Sequence, residues 1–73
     1  MKQSELLALI QRAKNGDRLK LTYKRHQYGA ALSDMLKARD AAFDQGIKAS
    51  VDWTYPSLLI DGGELRFEAS VLV

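Results

Sequence analysis

The chain has 73 residues, one histidine and no cysteine. That allows a single small domain, residues 1–73, resting on its apolar core, and it excludes disulfides, cysteine-ligated zinc, iron–sulfur clusters and any histidine-rich metal site. Net charge is only +2, yet residues 1–25 carry seven Lys or Arg against Glu5 and Asp17, while residues 26–73 carry four against seven carboxylates.

Ser4 is placed to cap a first helix, with Glu5 suited to the positive end of the helix dipole. Leu6, Leu7, Leu9, Ile10 and Ala13 follow at helical spacing, and Asn15-Gly16 ends the run. From Arg18 to Lys24 the period changes to two. Leu19, Leu21 and Tyr23 point one way and Arg18, Lys20, Thr22 and Lys24 the other, which is the pattern of a half-buried strand with a basic solvated face. Cations two residues apart on a strand lie about 7 Å from each other, comparable to phosphate spacing along a nucleic acid.

The stretch Arg25-His26-Gln27-Tyr28-Gly29 reads as the connection to a second helix, whose stripe is Ala31, Leu32, Met35, Ala38, Ala42 and Phe43 and whose stop is Gly46. Ser33-Asp34 offers an alternative cap for a later start. Asp40 and Asp44 fall in the last turns, where the dipole disfavours carboxylates. Ile47, Ala49, Val51 and Trp53 then alternate as one strand face, with Trp53 expected in the core and Tyr55 less constrained and free to lie at a surface. Pro56 interrupts. Leu58-Leu59-Ile60 leads into Asp61-Gly62-Gly63-Glu64, a tight-turn signal, and Leu65, Phe67, Ala69, Val71 and Val73 return on one face. The fold expected is α+β: two helices packed on one face of a mainly antiparallel three- to four-stranded sheet. The strand from Ala69 to Val73 is expected either at a sheet edge, where nothing charged would discourage self-association, or covered at the centre.

No catalytic constellation assembles. His26 has no cysteine to activate, no serine stands in a nucleophile elbow, and Gly62-Gly63 lacks the spacing of a nucleotide-binding loop. Asp61 and Glu64, like Asp40 and Asp44, offer too few converging oxygens for a cation. The expectation is a non-enzymatic binding module without metal or cofactor. No apolar run approaches the roughly 20 residues that span a bilayer, and the N-terminus has no signal core, so a cytoplasmic location is expected. The candidate contact residues are Arg12, Lys14, Arg18, Lys20, Lys24, Arg25, His26 and Tyr28. Aromatics among cations suit RNA stacking and phosphate contact, and they equally suit an acidic protein groove.

Taken whole, MKQSELLALIQRAKNGDRLKLTYKRHQYG followed by DGGELRF resembles the small transcription regulators of Xanthomonas-infecting bacteriophages. The resemblance covers most of the chain and implies a regulator that binds bacterial RNA polymerase near the RNA exit channel, at the N-terminal region of the largest subunit and at ω. It implies inhibition of σ-dependent initiation and, with NusA, read-through of terminators. It assigns no contact residues. A stand-alone nucleic-acid-binding domain and an inhibitor of another host protein are the alternatives.

Overall fold

The computed structural model of the protein describes residues 2–53, 56–60 and 62–69. Helix α1 spans Gln3–Lys14, strand β1 Arg18–Tyr23 and helix α2 Tyr28–Asp44, with a single 3₁₀ turn at Arg25–Gln27 before α2. Strands β2 (Ala49–Asp52), β3 (Ser57–Ile60) and β4 (Gly63–Ala69) complete the chain. They form one four-stranded sheet in the order β1-β4-β3-β2. The pairs β2–β3 and β3–β4 are antiparallel, while β1 runs parallel to β4 with Arg18 beside Glu64 and Tyr23 beside Ala69.

The two helices pack against each other and against the sheet. Leu6, Ile10 and Ala13 are the buried face of α1, and Leu7 and Leu9 flank it half-buried. Helix α2 buries Ala31, Met35, Ala38, Ala41 and Ala42. So many alanines on one face let the two helix backbones approach closely. From the sheet, Leu58, Ile60, Leu65 and Phe67 are fully buried beneath them, and Leu19, Leu21, Tyr23, Ala49 and Val51 pack at the margins. The period-two pattern of β1 and β4 is thus met: one face covered, the other open. Gly16 at φ +98° and Gly46 at φ +71° end the helices in a conformation that costs other residues energy.

Several expectations are corrected. Ser4 is not the cap, because α1 starts one residue before it and the Lys2 N–H donates to Glu5 Oε1 at 3.4 Å. Ser33-Asp34 starts no helix, because Asp34 is a buried residue of mid-α2 that accepts a hydrogen bond from Tyr23 Oη at 2.6 Å. Phe43 is 81% exposed, since it follows Ala42 and therefore sits about 100° around the helix from the buried stripe. Trp53 is 58% exposed, because β2 ends at Asp52 and the alternation that would have turned it inward stops there. Of the two placements expected for the strand from Ala69, the central one holds for that residue, since β4 lies between β1 and β3. Thr54, Tyr55, Asp61 and residues 70–73 lie outside the described residues, and with them the expectations for Tyr55, Val71 and Val73.

Candidate binding surface

Among the described residues, strand β1 is an outer strand, paired through one side only. Its six residues span about 17 Å. The eight basic and aromatic candidates are divided by it. Arg12 and Lys14, on the last turn of α1, and Arg18 stand at its start. Lys24, Arg25, His26 and Tyr28 stand at its end, where the 3₁₀ turn joins α2. Lys20 lies midway, and all eight are exposed.

The open face is not the continuous basic surface that β1 alone implies. The parallel register lays Glu64, Arg66 and Glu68 of β4 beside Arg18, Lys20 and Thr22. Lys20 Nζ reaches Glu68 Oε2 at 3.6 Å, and Arg66 Nε reaches Glu64 Oε1 at 3.2 Å. A shallow depression of about 230 Å³ runs among Arg18, Lys20, Glu64 and Arg66, lined by both signs of charge. At the start of β1, Arg12 Nε stands 3.9 Å from Asp17 Oδ2. Of the two cations on β1, Lys20 is thus met by a carboxylate of the neighbouring strand, and Glu64 beside Arg18 is engaged by Arg66 of its own strand.

The turn after β1 differs. Its backbone is closed locally: Lys24 N–H donates to Gln27 Oε1 at 3.0 Å and Gln27 N–H donates to the Lys24 carbonyl at 2.8 Å. That closure points the side chains outward, and Tyr28 is 50% exposed beside them. Among the described residues, Lys24 and Arg25 make no ion pair. Two unpaired cations, an imidazole and a phenol ring therefore share one corner of the molecule. Behind them, the Tyr23–Asp34 hydrogen bond ties the end of β1 to α2 and fixes the base of the turn.

A second surface was not foreseen from the sequence. Phe43 stands over a groove of about 580 Å³ lined also by Arg39, Asp40, Ile47, Lys48 and Ala49, at the start of β2. The signal that marks it is the position of Phe43 one residue past the buried stripe of α2, between the exposed Asp40 and Asp44.

Among the described residues, no three His, Asp or Glu side chains are grouped to hold a metal ion, and no helix is long and apolar enough to cross a membrane. Compared with known proteins, the chain significantly matches no family model, no curated protein and no solved structure.

Proposed function

We propose that the protein is a non-enzymatic regulator that binds bacterial RNA polymerase through the corner formed by Lys24, Arg25, His26 and Tyr28, with the outer edge of β1 beside it. The observation that carries this reading is the pairing of cations that lack carboxylate partners with an exposed tyrosine on a locally closed turn. Arginine and tyrosine are favoured anchors in protein interfaces, and a pre-ordered turn loses little entropy on docking. The identity of the partner follows the resemblance to phage transcription regulators. The N-terminal region of the largest subunit, ω and NusA are the surfaces it names, and obstruction of σ-dependent initiation together with terminator read-through is the outcome. Such a protein acts by occupying a surface in the bacterial cytoplasm and needs no catalytic group.

The mixed charge of the open face weighs against a stand-alone nucleic-acid-binding domain, which would present a continuous basic track to phosphates. Nascent RNA leaving the polymerase remains a fitting second contact for the Lys24–Tyr28 corner, because aromatic and cationic side chains there suit an unpaired base and its phosphate. Capture from a nuclease-treated bacterial lysate at physiological salt tests the reading. Core polymerase subunits are expected with the wild-type chain and lost with the Lys24→Glu/Arg25→Glu variant. Capture of some other host protein in their place, or full capture by the folded variant, overturns it. A lane emptied by nuclease assigns the corner to nucleic acid instead.

A further inference from the structure

Strand β1 offers backbone groups as well as charges. Among the described residues it pairs only with β4, and the Glu64 N–H donates to the Asp17 carbonyl at the start of that ladder. Backbone groups alternate between the two edges of a strand, so Leu19, Leu21 and Tyr23 turn theirs toward β4, in phase with Asp17. Arg18, Lys20 and Thr22 therefore turn their N–H and C=O groups outward, where no described strand lies beside them. The side chains of these same three residues are exposed on the open face. Leu19, Leu21 and Tyr23 pack at the margin of the core and stay half-buried. One edge thus combines outward backbone groups, a basic face and an apolar face in a fixed register.

We infer that the outer edge of β1 takes up an extended segment of the partner protein, acidic and apolar residues alternating along it, as an added strand, a form of contact that rests on the reading of the neighbouring corner as a partner-binding site. Directly opposed residues of paired strands share a face of the sheet. Acidic residues of the segment therefore stand opposite Arg18, Lys20 and Thr22. The apolar residues between them stand opposite Leu19, Leu21 and Tyr23 and complete the cover that the fold leaves partial. Main-chain hydrogen bonds hold such a segment, and its alternate side chains select it. Arg18 and Lys24 make no ion pair among the described residues, so they carry most of the preference for carboxylates. Lys20, already engaged by Glu68, adds less. Past Thr22 the segment reaches the Lys24–Tyr28 corner, so edge and corner form one surface.

A second copy of the chain does not suit this edge. Antiparallel self-pairing centred on Lys20 sets Lys20 against Lys20. Centred on Leu19 it sets Arg18 against Lys20, and centred on Leu21 it sets Arg18 against Lys24. Like charges directly opposed destabilise a strand pair, and cations on an edge discourage copies of that edge from meeting. The same cations admit a strand of opposite charge. Nucleic acid has no amide ladder to pair with the outward N–H and C=O groups.

The test titrates the intact chain with a capped peptide of sequence Glu-Val-Glu-Val-Glu-Val-Glu, followed by nuclear magnetic resonance. Near saturation, solvent exchange of the outward Lys20 and Thr22 amides is expected to slow about tenfold, while the Leu19 and Leu21 amides, already in the ladder, change little. A block-ordered peptide of the same composition, Val-Val-Val-Glu-Glu-Glu-Glu, should bind about tenfold more weakly or worse. Thr22→Pro removes one outward N–H and spares the ladder with β4. It should keep the fold and lose about tenfold or more in affinity for the alternating peptide. Should that variant fold poorly, Arg18→Glu/Lys24→Glu is expected to lose the Glu-Val peptide and to take up its Lys-Val counterpart. Equal binding of the two peptide orders overturns the inference, because charge alone then holds the peptide. Unchanged exchange at Lys20 and Thr22 overturns it too, as does a mass that rises toward two chains without peptide and falls back in Thr22→Pro. Capture of polymerase separates this edge from the corner reading. A peptide that binds as expected to a chain that captures no polymerase keeps the edge and removes polymerase as its partner. Capture left undiminished in folded Thr22→Pro keeps the corner and removes the edge.

Discussion

Tyr23, the last residue of β1, donates its hydroxyl to Asp34 Oδ2 in the middle of α2 at 2.6 Å, across a sequence separation of 11 residues. The bond joins a half-buried strand end to a buried carboxylate, and the Tyr23 ring lies 6.5 Å from that of Phe67. Burial, then the hydrogen bond to Asp34 and its charge, raise the Tyr23 pKa well above the usual tyrosine range. Removing the hydroxyl leaves a buried carboxylate short of one donor, so Tyr23→Phe is expected to cost about 1–2 kcal/mol in denaturant unfolding. The pH dependence has a definite sign. The folded state holds the phenolic proton more tightly than the unfolded chain, whose tyrosine titrates near pH 10. The stabilisation is therefore complete below that pH and is lost as pH rises above it. The difference in stability between wild type and Tyr23→Phe should be constant at neutral pH and shrink in the alkaline range. A difference that grows above pH 10 contradicts the assignment.

Gly63, the first residue of β4, lies against the C-terminal end of α1. A Cβ there would collide with the carbonyl oxygen of Ala13 and lie 2.7 Å from that of Asp17. Both obstacles are backbone, and Glu64 N–H donates to the same Asp17 carbonyl at 3.1 Å, so neither can withdraw cheaply. Gly63→Ala is expected to destabilise by about 3 kcal/mol or more, which is large for a domain of this size. Gly29, exposed in the first turn of α2 with open space around it, is the counter-case: Gly29→Ala should stabilise by about 0.5–1 kcal/mol. Thermal melts of the two variants should move in opposite directions.

What the sequence revealed and what it hid divide along the range of the interactions. The alternation of Leu19, Leu21 and Tyr23 is a local signal, and both the strand and its covered face follow from it. The parallel pairing of that strand with residues 64–69 is non-local, and nothing in either segment states it. The charge pattern suffered most from this. Arg18 and Lys20 announce a basic face, and only once β4 is known to lie alongside do Glu64 and Glu68 set carboxylates among those cations, Glu68 reaching Lys20. Asp34 illustrates the same limit at one residue. After Ser33 it looks like a helix cap, and only the tertiary fold supplies the tyrosine hydroxyl that lets it be buried. Phe43 and Trp53 were read as core because they are large and nearly in phase, yet one residue is enough to rotate a helical side chain out or to end a strand.

The two phenylalanines separate core from surface sharply. Phe67 is fully buried and Phe43 is 81% exposed. Phe67→Ala removes a central ring from a core with little to spare and is expected to cost about 3–5 kcal/mol, enough to leave much of the population unfolded. Phe43→Ala should change stability by no more than about 0.5 kcal/mol. Far-ultraviolet circular dichroism with a denaturant titration checks both, and a large loss at position 43 would show that the ring packs where it is described as exposed.

Charge reversals on β1 and on the turn that follows it should part company in the same way, but in binding instead of stability. The Lys20–Glu68 pair is exposed on both sides, and pairs of that kind contribute about 0–1 kcal/mol. Lys20→Ala is therefore expected to shift the melting temperature little and to leave capture of the partner within about twofold of wild type, since Glu68 already engages part of its charge. Lys24 and Arg25 have no such partner among the described residues, so reversing them changes the field seen by an approaching acidic surface without breaking any contact inside the fold. The Lys24→Glu/Arg25→Glu variant should melt within a few degrees of wild type and lose about tenfold or more in affinity, the loss being greatest at low salt where such fields are least screened. Equal losses for Lys20→Ala and for the double variant would mean that the partner reads the whole of β1, and the corner at Lys24–Tyr28 would have no special part in the contact.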